Sequence, residues 1–205
     1  MYIPKEFIIH DKETLFSIIE ENSFAIVFSQ HSGKPFATHL PLLLDRENQC
    51  LYGHFAKANP QWRESAGKDF LIVFQGPHAY ISPSWYETDQ TVPTWNYVAV
   101  HVYGNLELLK HESDTIDSLS SLVKNYEKPD SPYSLDEVDE KVQTGLRRGI
   151  VGFKIPIRSL EGKAKLSQNH PLERQQRVIK HLEQIQQDNS RGIASYMKKN
   201  IQPTN

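Results

Sequence analysis

A single cysteine, Cys50, stands in the 205 residues, so no intramolecular disulfide can form. That suits a reducing compartment, and in its strand-like run Cys50 reads as a small buried apolar residue rather than a nucleophile. No apolar run approaches the roughly 20 residues that a helix needs to cross a bilayer. The start, MYIPKEFIIHDKE, lacks the basic-then-apolar order of a secretory leader, and a soluble cytoplasmic protein without membrane contact is expected. Also missing are GxGxxG, GxxxxGK[ST] and GxSxG, so nothing supports a dinucleotide-binding fold, a P-loop NTPase or a serine hydrolase. The helical stretches 112–127 and 134–148 contain no helix-turn-helix, because the first is acidic and the prolines of EKPDSPYS break the pair. DNA binding is thus open but unsupported by a motif. The net charge of −2 conceals 13 basic against 4 acidic side chains in residues 141–205. Such a basic end meets phosphate, nucleic acid or an acidic partner surface, or else solvates helix faces.

What the chain has in quantity is aromatic rings, concentrated between Leu51 and Gly104. All three tryptophans lie there, with Tyr52, Tyr80, Tyr86, Tyr97 and Tyr103 and with His54, His78 and His101. Flat rings with hydrogen-bonding tips in that density point to a flat ligand or to an interface.

The element pattern is mostly β with α. Asp11 is placed to cap a helix carrying Leu15, Phe16, Ile18 and Ile19, with Asn22 as its stop. Strands follow at 24–30, 35–44, 49–56, 69–75 and 78–82, the last two flanking Gly76-Pro77, with turn-rich HSGK and DREN between the first three. From about Trp95 to Leu109, Val98, Val100 and Val102 share one face and Tyr97, Ala99, His101 and Tyr103 the other. After the helices comes a strand at 150–157, then a helix at 172–187 with Val178, Leu182 and Ile185 in one stripe. SRGIASYMKKN reads as a short helix or a mobile tail. Many short strands, then helices, then a late strand give an α+β protein, a small antiparallel barrel decorated by helices. The expected organisation is a barrel domain at 1–160 with a helical insertion at about 112–148, and a basic C-terminal part at 161–205 packed on it.

Four constellations are suited to chemistry. In HFAKANPQW, Asn59 can cap a helix with Pro60 at its first position, and Lys57 and Arg63 add positive charge near the helix start. This is either a phosphate site or an ordinary capped helix. His39 and His54, near the ends of consecutive strands, either face each other across a hairpin or stand as hydrogen-bonded histidines at a barrel mouth. With no Cys, Asp or Glu at ligand spacing, a metal site is not expected. Trp95, flanked by Pro93 and Asn96, suits a rim. In GKAKLSQN, Lys163 and Lys165 share a face if extended and would grip phosphate, against the plainer reading of a solvated loop. No side chain stands out as acid, base or nucleophile.

Taken together, LYGHFAKANPQW, VFQGPHAYISPSWY, VPTWNYVAVHVYG and GKAKLSQN resemble the PaiB family of FMN-binding negative transcriptional regulators, in order from MYIPKEF to about residue 182. The resemblance implies an antiparallel split β-barrel related to pyridoxamine-phosphate oxidases, a homodimer, and FMN or another flat phosphorylated ligand between the subunits. It implies Lys57, Ala58 and Asn59 around the flavin phosphate, and Thr38, His39 and Leu40 beside the isoalloxazine ring. Trp95 and Asn96 would come from the other subunit. His54 joins this cofactor set, and Lys163 and Lys165 are the next phosphate candidates. The implied role is repression of protease synthesis and sporulation. The alternative is an FMN-dependent oxidoreductase acting on a small cytosolic molecule, with indirect regulatory effects.

Overall fold

The computed structural model describes residues 1–65, 67–86 and 91–202, without the side chain of Asp136. Two compact units divide the chain. The first comprises Met1–Ile18, Gln75–Val100 and Glu161–Asn205, and the second Ile19–Phe74 and His101–Leu160. Of the C-terminal part expected at 161–205, residues 203–205 lie outside the described ones.

The second unit is built on hairpins. β2 (Phe24–His31) and β3 (Lys34–Pro41) pair antiparallel from Phe24↔Pro41 to His31↔Lys34. Ser32 and Gly33 between them both take positive φ, 51° and 72°. This is the two-residue turn whose twist matches that of the flanking strands, and the HSGK signal is read correctly. β4 (Leu43–Asp45) pairs with β5 (Cys50–Ala56), and β5 continues against β9 (Ile150–Lys165) from Cys50↔Pro156 to Ala56↔Ile150. β6 (Asp69–Ile81) lies beside β2, and β7 (Thr94–Asn105) stands between β6 and β9, on which β8 (Glu107–Leu108) also pairs. The core of this unit holds Val27, Leu51, Ile72, Phe74, Val102 and Ile155, all with no exposure, and Phe55 stacked on Phe153 at 4.6 Å. α2 (Glu112–Tyr126) and α3 (Glu140–Arg148) complete it, and neither has a buried residue.

In the first unit β1 (Ile8–Ile9) pairs with the late part of β9, and α1 (Lys12–Glu21) begins where the Asp11 carboxylate accepts the Thr14 N–H at 2.8 Å. α4 (Leu172–Gln184) and α5 (Asp188–Ile201) bury Val178, Leu182, Ile193 and Met197.

Several boundaries depart from the expectations: the strand expected at 35–44 is two, β3 and β4, and the helix expected at 172–187 ends at Gln184. β6 runs unbroken through Gly76-Pro77: a Cβ on Gly76 would sit 3.1 Å from the Val98 carbonyl, and the Pro77 ring lies against Gly192 of α5. The dipeptide makes room for close neighbours rather than ending the strand. α3 starts at Glu140 rather than 134, because the Asp139 side chain accepts the Lys141 and Val142 N–H groups and fixes the start there. GKAK is strand, not loop: β9 extends to Lys165. The terminal SRGIASYMKKN belongs to a 14-residue helix whose Ile193, Ala194 and Met197 are buried.

Candidate functional site

The structure places the sequence-predicted residues in both units and joins only some of them, Thr38 with Asn59 in the second and Asn96 with Lys165 at one cavity in the first. In the second unit Thr38 and Asn59 are organised by Gln61, which reading the sequence missed. Gln61 lies fully buried just after Pro60, in a 3-10 turn spanning Pro60–Glu64. Its Nε2 donates to the Val27 carbonyl at 2.9 Å and to the Ser29 hydroxyl at 3.0 Å, and its Oε1 accepts the Thr38 hydroxyl at 2.6 Å. Asn59 Nδ2 donates to the same Thr38 Oγ1 at 2.8 Å, while Asn59 Oδ1 accepts the Gln61 N–H at 2.9 Å. Every polar end of the amide is satisfied, so the loop leaving β5 is tied to the β2–β3 hairpin without a buried unpaired group.

Lys57 and Ala58 sit exposed at the head of that loop. The Lys57 N–H donates to the Gly149 carbonyl at 2.8 Å and its carbonyl accepts Trp62 Nε1 at 3.1 Å. Its ammonium has no partner among the described residues. Arg63 lies over the Trp62 ring at 5.7 Å. The helix start expected to offer free amides is corrected in one respect: the turn is five residues of 3-10 helix and Asn59 already takes its Gln61 N–H. Charge and the exposed loop, not a helix dipole, are what remain for an anion.

Thr38 and Leu40 share one side of β3, half-buried and buried, whereas His39 between them is exposed and its ring lies 6.3 Å from Phe24. Strand alternation therefore keeps these three side chains from forming one wall. His39 and His54 are not hairpin partners: His39 pairs with Ile26 and His54 with Gly152. Among the described residues no cluster of His, Cys, Asp and Glu is fit for a metal.

Burial lowers the pKa of the half-buried His54 below the ordinary value of 6.5, and that of His170 is lowered by burial and by Arg174 and Lys165. Between the folded and unfolded pKa values the unfolded chain binds more protons, so stability is complete above about pH 6.5 and declines as the pH falls below it. Urea midpoints measured from pH 7.5 to 5 are expected to fall, and the His54→Gln variant to show a shallower fall. Equal slopes would remove His54 from this role.

The remaining candidates lie in the first unit. Asn96, implied by the resemblance to reach a cofactor site from the other subunit, is fully buried within its own chain and donates to Ser167 Oγ at 3.0 Å; its neighbour Trp95 is 52% exposed, beside His78 and Tyr80. Strand alternation sends the two side chains to opposite faces. Lys163, expected in an extended or solvated segment, is buried: its ammonium donates to the Tyr2 carbonyl at 3.2 Å and lies 5.0 Å from the Tyr97 ring centre. Lys165 donates to the Thr94 hydroxyl and borders a cavity of about 540 Å³. Tyr86, Ser167 and His170 also line that cavity and were not singled out as site residues; no spacing rule joins positions so far apart in the chain.

The model of the family described as "Putative FMN-binding domain" matches residues 1–159. The chain belongs to this FMN-binding family. The family match takes in every candidate residue from Thr38 to Asn96 and ends before Lys163 and Lys165. A relative from Bacillus subtilis (strain 168), "Protease synthase and sporulation protein PAI 2", is 42% identical over 202 residues, covering 97% of each chain. An uncharacterized protein of Emericella nidulans is 27% identical over 203 residues, 79% of this chain and 80% of that one. Among solved structures, the flavocytochrome Anf3 from Azotobacter vinelandii aligns at a TM-score of 0.61 and 16% identity, over 80% of this chain and 72% of that one. The FAD and heme binding protein from Mycobacterium smegmatis aligns at 0.59 and 13%, over 82% and 78%. The α+β, antiparallel split-barrel fold expected from the sequence is the fold of these flavin-binding neighbours, and FMN is the family's cofactor.

Proposed function

We propose that this FMN-binding family member is a cytoplasmic, homodimeric regulator that holds down protease synthesis and sporulation. The observation that carries the regulatory reading is the 42% identity to the B. subtilis protease synthase and sporulation protein along 97% of both chains. The residues present fit a flavin phosphate at the Lys57–Asn59 loop. An exposed ammonium without a partner among the described residues stands on a loop that Gln61 and Trp62 hold rigid, with Arg63 one turn on. Lys57 would neutralise the phosphate, and Thr38 and Leu40 would flank the ring system. Bound FMN would supply one- and two-electron redox chemistry, while this chain's residues bind and orient it. The exposed Trp95 and Tyr80 beside His78 are apolar surface of the kind that subunit contacts cover.

The test is complementation in a B. subtilis strain lacking its PAI 2 protein. Expression of this chain is expected to return extracellular protease and spore counts to the parental level, and Lys57→Ala, with FMN affinity reduced at least tenfold, to do so incompletely. Failure of the intact chain to complement would refute the regulatory reading. Purified protein whose bound flavin is bleached rapidly by NAD(P)H would favour the oxidoreductase instead.

A further inference from the structure

The cavity of about 540 Å³ in the first unit is within the range of small-ligand sites, and the charge among its described lining residues is one-sided. Lys165 and His170 border it with Thr94, Asn96, Ser167 and Tyr86, and no described lining residue is acidic. Lys165 has only the Thr94 hydroxyl as partner, and Lys163, two residues earlier on the same strand, has a carbonyl and aromatic rings. Neither ammonium has a carboxylate within ion-pair distance among the described residues, although Lys163 is 93% buried by its 7% exposure. Lys165, partly desolvated and without a counter-charge among the described residues, is unfavourable as it stands, and an anion in the cavity would relieve it. Burial and the neighbouring Lys163 accordingly lower the pKa of Lys165.

The polar groups around it are fixed rather than loose. Ser167, 2% exposed, takes a positive φ of 65°, a conformation uncommon for residues other than glycine. Its hydroxyl is shared with Tyr86 Oη at 2.8 Å and Asn96 Nδ2 at 3.0 Å. The Tyr86 and His170 rings stack at 4.4 Å. With its pKa lowered, His170 offers a neutral N–H or acceptor beside the Lys165 charge.

We propose that this cavity binds the oxyanion of a small polar metabolite, a phosphate monoester or a carboxylate, with Lys165 as counter-ion and Ser167, Asn96 and His170 as its hydrogen-bonding frame. The site uses no residue of the Lys57–Asn59 loop, and Lys165, Ser167 and His170 lie beyond the segment that the FMN-binding family model matches. It would give the protein an input other than flavin.

The test uses the full chain and isothermal titration with inorganic phosphate and with malonate at constant ionic strength. Saturable binding of at least one is expected, weakened tenfold or more by Lys165→Met and changed less than twofold by Lys110→Ala, at an exposed lysine of the second unit; the tighter anion identifies the group recognised. Should Lys165→Met fail to fold, Asn169→Asp, an exposed change on the cavity wall, is expected to weaken binding as much by placing a like charge there. No binding by the unaltered protein, or equal binding by the folded variants, overturns the proposal. So does a loss of FMN affinity in Lys165→Met as large as in Lys57→Ala, which would make the cavity the flavin phosphate site.

Discussion

Gly104→Ala is expected to lower the melting temperature by roughly 6–12 °C. Gly104 is buried in β7, where a Cβ would lie 2.3 Å from the Pro156 carbonyl oxygen and 2.6 Å from Ile155 Cγ2. The first of these is backbone of β9, paired on its other side with β5, and it cannot swing aside as a side-chain tip would. Overpacking of this kind costs about 1–3 kcal/mol, and the backbone contact places it at the upper end. At about 2–4 °C per kcal/mol for a chain of this size, that gives the expected shift. Gly145→Ala in α3 is the matched control, since nothing lies within 4 Å of its Cβ position. There alanine removes a glycine from a helix interior and should raise stability by up to about 1 kcal/mol. Thermal unfolding followed by circular dichroism separates the two, and a Gly104→Ala melt within 2 °C of the parent would contradict the contact.

Gln61→Leu carries the second large effect, on stability and on flavin together. Leucine fills a comparable volume but returns none of the three hydrogen bonds that the side-chain amide makes. The Val27 carbonyl, in a strand residue with no exposure, loses the donor that Gln61 Nε2 supplies, and the Thr38 hydroxyl loses its acceptor. One stranded buried group costs about 1–3 kcal/mol. Because Thr38 also accepts from Asn59 Nδ2, loosening it frees the Lys57–Asn59 loop. FMN affinity is therefore expected to drop about tenfold with no flavin-contacting charge removed, since disordering a binding loop is an entropic cost on binding. Fluorescence titration of FMN against urea stability reads both. A destabilised variant with unchanged flavin affinity would leave Gln61 a core residue only and move the phosphate away from this loop.

How far the sequence was legible depended on the range of the interactions involved. HSGK predicts a hairpin because the turn's φ angles are set by four adjacent residues, and Asp11 predicts a helix start because its carboxylate reaches only as far as Thr14. Val98, Val100 and Val102 announced a core face by alternation alone, and all three are fully buried. Gly76-Pro77 misled because local rules mark it as a break, whereas its tolerance in β6 depends on Val98 and on Gly192, more than 20 and 110 residues away. The same limit hid Gln61, whose partners lie on another hairpin, and the Tyr86–Ser167–Asn96 cluster, whose members share a cavity but no segment. Trp95 and Asn96 adjoin in the chain yet face opposite ways, because side chains alternate along a strand.

The four places where the chain passes between its two units fall inside α1, β6, β7 and β9, not in loops. Neither unit is a continuous stretch of polypeptide, and no linker marks a seam where one ends. Neither can be cut out, duplicated or exchanged by a single recombination event as a modular domain can. Insertions are tolerated best at exposed turns that lie within one unit, such as the Glu127–Ser134 connection after α2. New function in this architecture therefore accumulates by substitution around existing cavities and by growth of surface loops, rather than by shuffling of parts.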